Sequence, residues 1–208
     1  VAAAVAGAVR AGGGGPPPSR SADAGTTTSA ARSPSATVTT PSAGAPAARA
    51  PRLAESPLGR LGSPVQDAAA TATGPGSALL LAGLTAADIS RADVIAVTGG
   101  RAGSLGLLPG VLHDTAAVTI GGQVYLLGGG NGTAQSDAVL RVDPGSGASA
   151  AAGRLPAPSS DQSAAQIGGT AYVVGGYTGA RGLDTIVAWR PGSAARVVGR
   201  LPSPVRYA

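Results

Sequence analysis

A spacing constrains this chain more than any other feature. Asp67, Asp114 and Asp161 recur every 47 residues, and Tyr125 and Tyr172 keep the same interval. So do Pro109 and Pro156, Gly121-Gly122 and Gly168-Gly169, Gly128-Gly129 and Gly175-Gly176, Asp137 and Asp184, and Pro144 and Pro191. Leu155-Pro156 returns at Leu201-Pro202 after 46 residues. A fixed period of this size means one supersecondary unit stacked on copies of itself, as in a solenoid or a propeller. The units divide as 60–106, 107–153 and 154–199, with 200–208 as the start of a fourth, truncated repeat. The first is the most degenerate, carrying Ala82-Gly83 where the later ones have a glycine pair.

Within a unit the pattern is that of strands. Residues 115–120 run into Gly121-Gly122 and continue as 123–127, which predicts a hairpin. Residues 137–142 supply a third, β-branched and aliphatic strand, and Asp143-Pro144-Gly145 marks the turn after it. The fourth strand is weak at 148–152 and clearer at 195–198. Four short strands per unit without a helical stretch predict an all-β chain of propeller blades rather than helical repeats.

An apolar run, a glycine turn, a tyrosine before a glycine pair, a further strand and a Leu-Pro exit together resemble the kelch repeat. QVYLLGGG at 123–130 and TAYVVGGY at 170–177 carry the likeness, which covers about 140 residues from Arg60 onward. The resemblance implies a partial kelch-type β-propeller of about three four-stranded blades. One departure is plain: kelch repeats usually place a Trp in the fourth strand, whereas the single Trp189 falls on the third, aligned with Val142. The alanine- and proline-rich N-terminal segment and the phrase DTIVAWRPG at 184–192 are similar to bacterial, surface-associated kelch proteins of GC-rich organisms.

Residues 1–59 contain no aromatic residue and only six branched aliphatics. Such a stretch buries too little apolar area to offset its chain entropy, so a disordered Ala/Pro/Ser/Thr/Gly-rich tail is expected. VAAAVAGAV at 1–9 is too short to span a bilayer and reads either as the remnant of a signal peptide or membrane anchor, or as an alanine-biased start. The sequence lacks an initiating Met, which points to a processed chain or a fragment. An extracellular or cell-surface location is the corresponding expectation.

The chain has no Cys, one His and a net charge of +5. Thiolate metal sites, disulfides and multi-histidine metal sites are excluded from these residues. The arginines are scattered singly and aromatics are few, so neither phosphate tracking nor base stacking is supported, and no nucleic-acid partner is expected. No cofactor is expected, and no catalytic residue stands out. His113 beside Asp114 is the one candidate acid–base pair, and a plain surface histidine accounts for it.

The repeated Asp67, Asp114 and Asp161 read as turn-capping or inter-blade hydrogen-bonding groups, since catalytic groups rarely recur in every unit. Asp137 and Asp184 read likewise. The pairs Gly128-Gly129 and Gly175-Gly176 end a strand and precede another strand, unlike a phosphate loop, so close blade packing explains them, with Tyr125 and Tyr172 as repeat positions. In a four-stranded meander the loop entering strand one and the loop leaving strand two share a face. The first carries Gln66, His113, Ser160 and Arg206; the second carries Leu84, then Asn131, Tyr177 and Arg181. Residues that vary on a repeated frame suit binding, so a protein or carbohydrate ligand is expected at this face.

By the same resemblance, a kelch-fold enzyme remains the alternative, of galactose oxidase or sialic acid epimerase type, with its active site in further blades. A copper oxidase of that kind needs a tyrosine–cysteine cofactor and histidine ligands, which this segment does not supply. Three blades do not close a ring, so self-association is expected if the chain is complete.

Overall fold

The computed structural model describes Pro57 and residues 59–208. The expected tail at 1–59, with its 1–9 anchor or signal remnant, lies outside the described residues apart from Pro57 and Gly59. The rest is all-β, with twelve strands in three four-stranded antiparallel sheets and no helix among the described residues.

The first blade is a meander of β1 (Ala69–Gly74), β2 (Ser77–Leu81), β3 (Arg91–Thr98) and β4 (Arg101–Leu112). The second comprises β5 (Ala116–Ile120), β6 (Gln123–Leu127), β7 (Ala138–Val142) and β8 (Ser149–Arg154). The third comprises β9 (Ser163–Ile167), β10 (Thr170–Val174), β11 (Leu183–Trp189) and β12 (Arg196–Val205). First strands begin at Ala69, Ala116 and Ser163, intervals of 47 residues. The two later hairpins share one register: Val118 pairs with Tyr125 as Ala165 pairs with Tyr172.

Outer strands run further than their composition suggests. β4 extends to Leu112 and β12 to Val205, so residues 107–112 and 200–205 complete the first and third blades. The repeat fixes a period, and the place where a unit is cut is a matter of phase. β8 and β12 are mostly exposed, so their backbone pairing with β7 and β11 holds them, not a buried stripe.

Two cores lie between the blades. Ala69, Leu79, Leu81 and Val94 of the first blade meet Val124, Leu126 and Val142 of the second. The opposite face of the second blade, with Val118, Ile120, Tyr125, Leu127 and Val139, meets Ala171, Val173, Val187 and Trp189 of the third. The period-2 alternation of β6 thus serves both neighbours, Val124 and Leu126 on one side, Tyr125 and Leu127 on the other. Full burial of such aliphatic side chains contributes roughly 1.5–3 kcal/mol each. Trp189 is buried and meets Tyr125 edge to face, ring centroids 5.0 Å apart and planes at 62°. Its place on the third strand puts it in this core rather than at the blade margin.

Candidate functional site

The segment entering each first strand is tied by paired backbone hydrogen bonds to the segment leaving the second strand. Gln66 pairs with Leu84, His113 with Gly130, and Ser160 with Tyr177. The loop-leaving segments pair onward to Ser90, Gln135 and Gly182, which close the β2–β3, β6–β7 and β10–β11 loops. The two loop sets therefore share one rim, blade after blade.

These pairings shift one alignment. The position equivalent to Leu84 and Tyr177 is Gly130, not Asn131. Asn131 stands one residue later, in the place of Thr85 and Thr178. All three use a side-chain oxygen to hold their loop: Asn131 Oδ1 accepts from the N–H groups of Thr133 and Ala134, both at 2.9 Å. Thr85 Oγ1 accepts from Ala87 and Ile89, and Thr178 Oγ1 from Ala180 and Arg181. Gly130 in turn leaves room for the His113 imidazole, whose Nε2 would stand 2.9 Å from a Cβ at that position.

Inside the rim runs a backbone thread. The Asp114 N–H donates to Asp67 O at 3.0 Å, Asp161 to Asp114 O at 2.9 Å, and Tyr207 to Asp161 O at 2.9 Å. All four residues adopt a left-handed backbone, φ between 50° and 59°. Aspartate tolerates that region better than most residues. The side chains grow more enclosed along the thread: Asp67 is exposed, that of Asp114 is 14% exposed and that of Asp161 only 2%.

Burial pushes the Asp114 carboxyl up from 3.8 to about 7; the charges of Asp67 and Asp161 and a hydrogen bond to Asp161 add to the rise, while Arg206 opposes it. His113 Nε2 lies 3.9 Å from Asp114 Oδ2, and its Nδ1 is hydrogen-bonded to Ser90 Oγ of the preceding blade at 2.8 Å. The Arg206 guanidinium pairs with Asp161 and lies 4.0 Å over the Tyr177 ring and 5.3 Å from that of Tyr207. Desolvation would lower its affinity for the proton, but the Asp161 hydrogen bond and charge outweigh this and raise it. Desolvation also raises the Tyr207 hydroxyl, with help from Asp114 and Asp161.

The glycine pairs sit against the next segment of chain. A Cβ on Gly128 would stand 2.6 Å from Ser159 O, and one on Gly175 2.6 Å from Val205 O. One on Gly129 would overlap Thr115 Cγ2 and reach within 3.0 Å of His113 O. Asp137 and Asp184 pair with Arg154 and Arg200, at 2.7 and 2.6 Å, across β7–β8 and β11–β12.

Of the sequence-derived candidates, Tyr177 and Arg206 are brought into contact, and Gln66 is exposed with its Nε2 donating to Asp88 Oδ1 at 2.6 Å. Asn131 and Arg181 are exposed at separate loop tips, and Ser160 is buried. Arg181 also borders a cleft of about 200 Å³ between the third blade and the link after β8, with Leu155, Val187, Val197 and the Asp184–Arg200 pair. Asp88, Ser90, Gln135 and Tyr207 were not marked by the sequence; their roles depend on which loops lie side by side. Ile89 and Tyr207 are open to solvent, so the rim offers amide, guanidinium, phenol and aliphatic groups together. Among the described residues, no group of three or more His, Cys, Asp or Glu is placed to hold a metal ion. Nor is any helix among them long and apolar enough to cross a membrane.

The sequence matches no protein-family model, and no curated protein matches it. Among solved structures it is similar to the kelch-fold protein YjhT, with a TM-score of 0.58 at 14% sequence identity. The match covers 71% of this chain and 55% of YjhT, so the chain spans about half the length of that protein. With the three antiparallel sheets, this likeness establishes the fold as three blades of a kelch-like β-propeller.

Proposed function

We propose that the chain is a binding module that recognises a protein or a carbohydrate through the rim carrying Gln66, His113, Asn131, Tyr177 and Arg181. One observation carries this reading: three equivalent loops, each held by its own internal side-chain acceptor, present different residues at their tips on a repeated backbone frame. A rigid base with varied tips is how loops acquire recognition, and a mixed aromatic, aliphatic and polar rim suits a macromolecular surface. The N-terminal Ala/Pro/Ser/Thr/Gly-rich segment then serves as a spacer from the cell envelope, with the propeller on the outside.

The test is a screen of the whole chain against arrays of glycans and of envelope and host surface proteins. Arg181→Glu and Ile89→Asp change exposed tips that bear no core packing. Each should weaken a saturable hit by about tenfold while leaving thermal stability unchanged. Arg206 is a poor probe because its loss strands the buried Asp161. A hit indifferent to both tip changes would place recognition elsewhere.

A further inference from the structure

The two spaces between blades are filled by different residues at equivalent positions. Between the first and second blades, Leu112, Leu126 and Leu140 pack into the shared core. One repeat later these positions are Ser159, Val173 and Val187, each smaller than leucine. Next to them Trp189 stands where the second blade has Val142, and a Cβ on Gly153 of β8 would lie 2.8 Å from its Nε1. The large indole spaces β8 from β11, and the short valines beside it do not reach across. The cleft bordered by Arg181, of about 200 Å³, lies in the room this leaves. Its floor, Leu155, Val173 and Val187, is buried, whereas Arg181, Val197 and Arg200 at its mouth are exposed.

The two cations at the mouth differ. Arg200 is engaged by Asp184 at 2.6 Å, whereas no carboxylate among the described residues lies within ion-pairing distance of Arg181. The Arg181 main chain is nonetheless fixed: its N–H donates to Thr178 Oγ1 at 3.2 Å, and its carbonyl accepts from the Thr178 N–H at 3.0 Å. An apolar floor beneath one unpaired guanidinium is complementary to an anion carried on a hydrocarbon body. A dry cavity of about 150 Å³ accommodates benzene, so this one suits about six or seven carbons. We propose that the cleft binds a free monocarboxylic acid with a short branched or cyclic hydrocarbon body, the hydrocarbon against the valines and the carboxylate on Arg181. Arg181 also belongs to the rim but the floor does not, which keeps this site separable from recognition at the loop tips.

The experiment titrates 4-methylpentanoate and its amide into the whole chain while recording the methyl NMR signals of Val173, Val187 and Val197. The acid should shift them saturably with a Kd of about 1 mM or below, and the amide should bind about tenfold more weakly. Arg181→Gln should reduce binding of the acid to that of the amide. Val173→Leu and Val187→Leu install the residue that the second blade carries at each position. Each should abolish binding, hold Tm at or above the parent's, and leave a ligand of the rim unaffected. No saturable shift, equal affinity for acid and amide, or undiminished binding by both filled variants overturns the proposal. A fall in Tm in both filled variants overturns it too, because the cleft then has no room for a methylene.

Discussion

Replacing Asp114 with Asn should stabilise the protein in alkaline solution and hardly change it in acid. The carboxyl holds its proton to about pH 7 in the fold and to 3.8 when unfolded, so folding takes up a proton between those limits. Stability contributed by the protonated form is complete below about pH 4, falls as the pH rises through the window, and levels off above about 7. A rise of this size corresponds to a ceiling of about 4 kcal/mol. Solvent reaches the cluster from the Asp67 side, and discounting for that screening leaves about 1–2 kcal/mol. For a folded part of this length, that is an increase in Tm of about 3–6 °C. Asparagine accepts the left-handed backbone and keeps the shape of the side chain, so the substitution isolates the charge. Differential scanning fluorimetry of both proteins at pH 4.5 and pH 8.5 measures the effect, with His113, Asp67, Asp161, Arg206 and Tyr207 present throughout. An equal shift in Tm at the two pH values, or a loss at pH 8.5, would refute the reasoning.

Gly129→Ala should cost several times more than Gly122→Ala, about 3 kcal/mol or more against about 1. Both glycines have positive φ, 108° and 77°, but only Gly129 faces atoms, those of Thr115 and His113. Urea denaturation of the two variants makes the comparison. Arg206→Gln leaves the buried Asp161 carboxyl without its cation and should destabilise by about 2–4 kcal/mol, with amide exchange at Tyr207 rising first. The Asp143 carboxyl accepts from the backbone N–H groups of Ser146 and Gly145 and from the Ser146 hydroxyl, and should titrate below 3.8 by NMR. Ser146→Ala should move it partway back.

The repeat made the blades legible because their central strands are buried on both sides. Tyr125, Leu127 and Val139 face one neighbour while Val124, Leu126 and Val142 face the other, which leaves dense apolar runs in the sequence. The outer strands left a fainter trace. β8 is SAAAGR, mostly exposed, and its pairing with β7 depends on backbone groups that any sequence supplies. The rim was legible only in outline. The first hairpin is spaced one residue differently from the second, so a strict 47-residue period sets Asn131 opposite Leu84, whereas the hydrogen bonds put Gly130 there. Ser90 and His113, or Asp161 and Arg206, lie 23 and 45 residues apart in sequence. Their meeting is set by blade stacking, and no local pattern encodes it.

The backbone thread from Asp67 to Tyr207 also has a mechanical meaning. The blades approach one another most closely along β1, β5 and β9, and the two thread hydrogen bonds from Asp114 to Asp67 and from Asp161 to Asp114 bind them at that edge. Toward β4, β8 and β12, neighbouring blades meet chiefly through side chains. Small rotations about the bound edge therefore displace the outer strands far more than the inner ones, as leaves spread from a spine. Thermal spreading would admit water to the outer margin well before the thread loosens, and the rim loops, seated at the bound edge, would hold their relative positions while it happens.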